Sequence, residues 1–266
     1  KLALGYTLAE IFPDESGGKV SVQDEVAVTL PVFDFQRFGA EDRLGSVVQS
    51  AGTALAVGGN GQEALQKAVR ALAGEPLGFG ADPYSAKLEE VSDREIREKL
   101  VNANSQRLFY IRQALKSGMN LDEVRALTQW NRAFLSELAE LYRLEKELTT
   151  YALYNLPPDI LWKAKRSGFS DRQLAYLLRV SEADVRKARE KHGIEPRRLK
   201  VTAAGRGSGK WFTTTYAAGE AEPGSPSKTP GVLVVGAGVN RMLYGSEYDW
   251  NLMRAARGLR EAGYRV

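Results

Sequence analysis

The end of the chain constrains the fold most. Gly231-Val-Leu-Val-Val-Gly-Ala-Gly-Val-Asn-Arg241 is followed by a helical pattern through Leu252, Ala256 and Leu259. Val232 to Val235 predict a buried strand, Gly236 and Gly238 a tight turn, and Gly263 a helix stop, so Tyr264-Arg265-Val266 would open a second strand. A parallel sheet is covered by helices on both faces and takes several βα repeats to bury. One repeat cannot do this, so the sequence is expected to be cut from a longer chain.

Composition narrows the rest. Hydrophobic residues at 43% and charged residues at 26% are ordinary for a globular protein. No apolar run of membrane-spanning length and no signal peptide is present, which predicts a cytoplasmic protein with no membrane partner. There is no cysteine, which excludes disulfides, thiolate metal sites and cysteine nucleophiles. The one histidine, His192, excludes a multi-histidine metal site. With 37 basic against 33 acidic residues the net charge is only +4, a weak attraction for nucleic acid.

Three textures follow one another. Residues 1–74 mix a short helix (Lys1 to Ile11), a strand-like run at Val26-Ala-Val-Thr-Leu-Pro31, and a helix from Gln62 to Ala73 with Ala64, Leu65, Ala68, Val69 and Leu72 on one side. Residues 93–193 read as a succession of capped helices without a strand. Residues 203–230 hold five Gly and three Pro and read as a linker.

The helical middle is clearly punctuated. Leu108, Ile111 and Leu115 form a stripe ending at Gly118, and Asn120 with Glu123 makes a capping-box pair for the next helix. Phe134, Leu135, Leu138, Leu141, Tyr142 and Leu148 mark a longer amphipathic helix. Pro157-Pro158-Asp159 starts another, stopped by Gly168. Ser170 with Gln173 and Ser181 with Asp184 cap two more, whose inward residues are Leu174, Leu177, Leu178, Val185 and Ala188. Each is too short to stand alone, so they must pack together as an all-α domain.

That last pair has a competing reading as DNA-binding helix-turn-helix, with Arg186, Lys187 and Arg189 facing phosphates. Glu182, Asp184 and Glu190 lie among these bases. A mixed surface favours a protein-interaction fold over nucleic acid. Other motifs fail on inspection. Arg241 stands where the dinucleotide fingerprint requires a small residue, and Gly205-Arg-Gly-Ser-Gly-Lys210-Trp lacks the early glycine and the Ser/Thr of a P-loop. His192 before Gly193 fits a helix end. Glu41-Asp42 reads as solvated loop.

Several runs carry a family resemblance. Asn102 to Thr128, then Trp130-Asn-Arg-Ala-Phe-Leu-Ser-Glu-Leu, Leu144-Glu and Lys163-Ala-Lys-Arg-Ser-Gly-Phe-Ser-Asp resemble the oligomerisation domain of the carbamoyl-phosphate synthase large subunit. Lys1-Leu-Ala-Leu-Gly-Tyr-Thr-Leu-Ala-Glu-Ile resembles the segment after the metal-binding stretch of that family's first ATP-grasp unit, and Glu63-Ala-Leu-Gln-Lys-Ala-Val-Arg-Ala-Leu the helix that closes it. Gly236-Ala-Gly-Val-Asn-Arg-Met-Leu-Tyr-Gly-Ser-Glu-Tyr-Asp-Trp resembles the first turn of the second unit. Three motifs in the right order are far more specific than any one.

The resemblance implies a mixed fold, an all-α oligomerisation domain flanked by incomplete α/β pieces. Its expected divisions are 1–76 for the end of the first ATP-grasp domain, 77–202 for the helical domain, 203–230 for a linker, and 231–266 for the start of a Rossmann-like pre-ATP-grasp domain. It implies a parent ligase of arginine and pyrimidine biosynthesis making carbamoyl phosphate from bicarbonate, glutamine-derived ammonia and two ATP. Implied partners are a glutaminase small subunit and further copies of the large chain; implied cofactors are ATP with Mg or Mn, bound mostly outside this stretch. Also by resemblance, Gly52 borders the ammonia passage, Gly245 and Glu247 border the carbamate passage, and Gly236, Gly238, Asn240 and Arg241 form the second unit's turn. No catalytic or metal-ligating residue is expected within the chain. The alternative is a non-enzymatic helical interaction or DNA-binding module. Departures from the family pattern are Gln49 and Thr53 in place of lysine and glutamate, Gly59 in place of arginine, Val239 in place of proline, and Leu243-Tyr244 in place of Gly-Gln. Lost charges of this kind weaken electrostatic stabilisation in the first unit.

Overall fold

A computed structural model describes residues 2–7, 10, 25–72, 76–86, 88, 91–200, 212–217, 231–235 and 246–266. The first texture is a hairpin backed by a helix. Strands β1 (Val26–Val32) and β2 (Gly52–Gly58) pair antiparallel, with Val32 opposite Gly52 and Val26 opposite Gly58. Helix α1 (Gly61–Arg70) starts where the Asn60 side chain accepts the Glu63 amide, and it buries Ala64, Leu65, Ala68 and Val69, the face its sequence pattern specifies. At the amino end, only the 3-10 turn Leu2–Leu4 and isolated residues of the expected Lys1 to Ile11 helix are described.

The helical middle follows: α2 (Pro83–Ala86), α3 (Asp93–Val101), α4 (Arg107–Lys116), α5 (Leu121–Thr128), α6 (Arg132–Leu148), α7 (Pro158–Arg166), α8 (Asp171–Leu178) and α9 (Glu182–Lys191). The central helix is α6. Its Leu135, Leu138, Leu141, Leu144 and Leu148 recur every three or four residues and are all buried. Burying such a side chain contributes about 1.5–3 kcal/mol. They pack in one core with Ile96, Leu100, Phe109, Ile111, Leu161, Phe169, Leu174 and Val185, and Leu65, Val69 and Phe79 join it from the amino side.

Local chemistry sets the ends of these helices. Asn120 and Glu123 form the full reciprocal capping box of α5, as do Ser181 and Asp184 for α9. Gly118, Gly168 and Gly193 take positive φ just after α4, α7 and α9, the left-handed stop that glycine reaches without strain. Replacing Asn120 by Ala removes the side-chain oxygen that accepts the Glu123 amide at 2.9 Å, while the bond from the backbone amide of residue 120 to the Glu123 carboxylate can persist. The expected cost is about 1 kcal/mol, read as a lower midpoint in chemical denaturation with an unchanged slope.

Beyond α9 the chain departs from a plain linker. Strands β3 (Arg197–Lys200) and β4 (Phe212–Thr215) pair antiparallel, with Arg197 opposite Thr215 and Lys200 opposite Phe212. A strand therefore lies inside the Gly- and Pro-rich stretch; Thr215 at its end and Ala217 two residues beyond it are buried. The final helix, α10 (Ser246–Glu261), ends at Gly263 with φ +86°. Gly231 and Arg265 form one parallel bridge, the seed of the expected βα unit. The expectation of a buried strand at Val232 to Val235 is corrected: Leu233 is 87% and Val235 78% exposed. Apolar residues alone do not bury a parallel strand; neighbouring strands and crossover helices do. Among the described residues no helix is long and apolar enough to cross a membrane.

Candidate functional site

Of the residues singled out from the sequence, Gly52 lies among the described residues. It is half-buried and opens β2 at the hairpin end where the Ala51 amide donates to the Val32 carbonyl at 2.8 Å. The loop before it is folded on itself. Gln49 accepts the Gly45 amide at 2.7 Å and donates to the Arg43 carbonyl at 3.0 Å, so its amide stabilises the loop. Thr53 and Val48 face solvent. Asp42, read from sequence as merely solvated, accepts both the amide (2.8 Å) and the hydroxyl (2.6 Å) of Ser105, fastening this loop to the start of α4. Gly236, Gly238, Asn240, Arg241 and Gly245 lie outside the described residues. Glu247 falls in the first turn of α10.

The other end of β2 enters a polar junction that the sequence reading missed. Glu63 on α1 is buried, and its carboxylate accepts the Gly59 amide at 2.9 Å and the Thr215 hydroxyl at 2.6 Å while pairing with Lys67 at 2.8 Å. Lys67 in turn donates to the Val57 carbonyl (3.0 Å), the Thr213 hydroxyl (3.1 Å) and the Thr214 carbonyl (2.6 Å). One ion pair on one turn of α1 thus holds both β2 and β4. A methyl group on Gly59 would stand 2.5 Å from the Ala217 side chain, so the place of a side chain at 59 is filled by the segment after β4.

A second ionic cluster adjoins it. Lys165 is 4% exposed; its ammonium donates to the Phe169 carbonyl at 2.8 Å and to Asp171 at 2.6 Å, and lies 4.8 Å from the centre of the Tyr216 ring. Asp171 also accepts from Arg189 at 2.9 Å. Burial pushes the Lys165 ammonium below its usual range against the pull of Asp171. Burial also pushes the Tyr216 phenol up. Arg189, read with Arg186 and Lys187 as facing a phosphate backbone, is instead buried on Asp171 and the Ile194 carbonyl, and Arg186 pairs with Glu182. This removes two of the three cations from the nucleic-acid reading. Between the clusters lies a cavity of about 640 Å³ bordered by Glu63, Arg70, Lys165, Asp171 and Tyr216. Arg70 spans its wall by donating to the Gly168 carbonyl at 2.7 Å.

These groups are matched into pairs and aimed at one another, which suits a joint better than a reaction centre. Among the described residues no group of three or more His, Cys, Asp or Glu could hold a metal ion.

Comparison with known proteins identifies the family. Residues 53–193 match the family described as "Carbamoyl-phosphate synthetase large chain, oligomerisation domain". The carbamoyl phosphate synthase large chains of Halomonas eurihalina and Vibrio cholerae are each 37% identical, over 276 and 280 residues respectively, and that of Archaeoglobus fulgidus is 36% identical over 277. Each alignment covers 99% of this chain and 25% of the relative, so the chain spans about a quarter of the length of the relatives it matches. The helices predicted from caps and stripes, and found packed around α6, therefore belong to the carbamoyl-phosphate synthetase large-chain family and make up its oligomerisation domain.

Proposed function

We propose that this chain is the central joint of a carbamoyl phosphate synthase large subunit, between the unit that forms carboxyphosphate and the unit that phosphorylates carbamate. The observation that carries the reading is that both flanks are anchored to the helical domain: the hairpin and α1 join its core, and the segment after α9 returns to α1 and β2. On this reading residues 1–76 end the first ATP-grasp domain, 77–202 form the helical domain, 203–230 lead out of it, and 231–266 begin the second unit. The parent reaction uses bicarbonate, ammonia released from glutamine by a small subunit, and two ATP with Mg or Mn, and it serves arginine and pyrimidine biosynthesis in the cytoplasm. Carboxyphosphate and carbamate decompose in water, so a rigid joint that keeps two shielded compartments aligned contributes to yield without touching a reacting atom.

Gly52 is assigned to the border of the ammonia passage, and Gly245 and Glu247 to that of the carbamate passage. A glycine suits such a border because the missing side chain leaves room for a small molecule. Subunit contacts are assigned to the helical domain, where Val101, Tyr154, Trp162 and Tyr176 present apolar surface. The test uses the complete large subunit with its small subunit. Gly52→Leu is expected to lower glutamine-dependent synthesis roughly tenfold or more while synthesis from added ammonium is spared, because a blocked passage, unlike a damaged active site, can be bypassed. Equal loss with both nitrogen sources would remove Gly52 from the passage. The chain alone is expected to show no ATP turnover; hydrolysis that follows the protein through purification would contradict its role as a joint.

A further inference from the structure

The segment Phe212–Ala217 is seated on α1 and β2 mainly through hydrogen bonds; its apolar contacts are those of Ala217, which is buried, and Tyr216, which packs against the edge of the helical core and lies over Lys165. Phe212 is 38% exposed, with Arg198 stacked 4.8 Å from its ring centre. Thr213 and Thr215 are held by hydroxyl bonds to the Val57 carbonyl (2.9 Å) and the Glu63 carboxylate. The Thr215 hydroxyl also accepts the Ala217 amide at 2.9 Å, which turns the chain so that the small Ala217 side chain drops against Gly59. Gly59 is not in the left-handed region. Its lack of a side chain therefore serves space rather than backbone conformation. Segments held by hydrogen bonds and few apolar contacts open locally at lower cost than a packed core. The helical core, built on fully buried leucines, belongs to the other extreme.

We propose that Phe212–Ala217 is a releasable strap: seated in the notch at Gly59 it locks the Gly58–Asn60 turn and β2 to α1, and lifted it frees that turn while the helical domain stays folded. In the sequence the strap precedes the carboxyl-terminal βα unit. Glu63 is the latch, since one buried carboxylate holds the turn amide, the Thr215 hydroxyl and the Lys67 ammonium together. This holds whether or not Gly52 borders a passage.

Amide hydrogen exchange on the whole chain, resolved by peptide, tests it. Gly59→Ala and Thr215→Val are each expected to speed exchange about tenfold in residues 52–60 and 212–217, the effect of losing one hydrogen bond to a charged group or of a comparable clash. Residues 107–191 are expected to stay as protected as before. Thr215→Ser, which keeps the hydroxyl, should restore protection. In the Gly59→Ala/Ala217→Gly pair the added methyl enters the space of the one removed, so protection should return towards the parent level. The strap is refuted if Gly59→Ala leaves exchange at 52–60 unchanged, or if Ala217→Gly fails to relieve it. Loss of protection throughout 107–191, including outright failure of either single variant to fold, would equally refute it, because the segment would then be part of the one cooperative core.

Discussion

Replacing Glu145 by Leu is expected to cost about 3–5 kcal/mol, the largest single effect in the chain. Glu145 lies on the buried face of α6, and both it and Arg112 of α4 are almost fully buried. Its carboxylate accepts from Arg112 Nε at 3.1 Å and from the Ala81 amide at 3.0 Å, joining α4, α6 and the loop before α2. Leucine fills the volume and leaves a buried guanidinium without its counter-charge. The desolvation of that cation, which the ion pair only offsets, then falls on the folded state. A typical domain has about 5–15 kcal/mol in all, so the variant should unfold at far lower denaturant. Arg112→Met with Glu145→Leu should recover most of the loss, since a well-packed apolar pair is often as stable as the ion pair it replaces. Urea unfolding of the parent, both singles and the double gives the coupling directly. A single-variant loss under about 1 kcal/mol would mean the pair is solvated.

Asp171→Asn should cost about 3 kcal/mol near neutral pH, with a dependence on pH that identifies its cause. Burial alone would raise the Asp171 carboxyl, but the hydrogen bonds and charges of Lys165 and Arg189 outweigh it and hold the group below the usual carboxylate range. A carboxyl depressed in the folded state contributes stability that is complete above its unfolded pKa, about 3.9, and is lost as pH falls through the lower folded value. The penalty of Asp171→Asn should therefore be constant from pH 5 to 7 and shrink below about pH 4, where the parent's own carboxyl becomes neutral. Stability curves for the two proteins that stay parallel down to pH 2 would show that the charge of Asp171 is not what matters.

The helical domain was legible because its signals are local. Asn120 with Glu123, Ser170 with Gln173, and Ser181 with Asp184 lie three residues apart, and Gly118 and Gly168 mark stops, so each helix could be bounded without knowledge of its neighbours. The resemblance supplied the family for the same reason, through contiguous runs. The junction was hidden because Thr215 meets Glu63 across 152 positions and Thr213 meets Val57 across 156, inside a stretch whose Gly and Pro content reads as linker. Arg189 was misread as a surface cation because sequence shows its charge but not Asp171 beside it. One signal could have exposed Glu145: it falls four residues after Leu141 and three before Leu148, on the apolar stripe, and a charge there implies a buried partner. Gly59 was visible only as a departure from the family pattern; that Ala217 takes the space is a fact of three dimensions. Val232 to Val235 show the opposite failure, in which an apolar run is plain and its burial depends on strands elsewhere.

The long reach of the junction also orders events when the chain first folds. The helices from α3 to α9 close over short separations, so they can gather around α6 soon after synthesis, whereas the contacts of Glu63 and Lys67 with Thr213, Thr214 and Thr215 must wait until about 150 further residues exist. During that interval the Glu63 carboxylate keeps Lys67 and the Gly59 amide but lacks the Thr215 hydroxyl. The hairpin is thus made early and fastened late, and a ribosome still producing the second half carries a first half whose last bolt has not been driven.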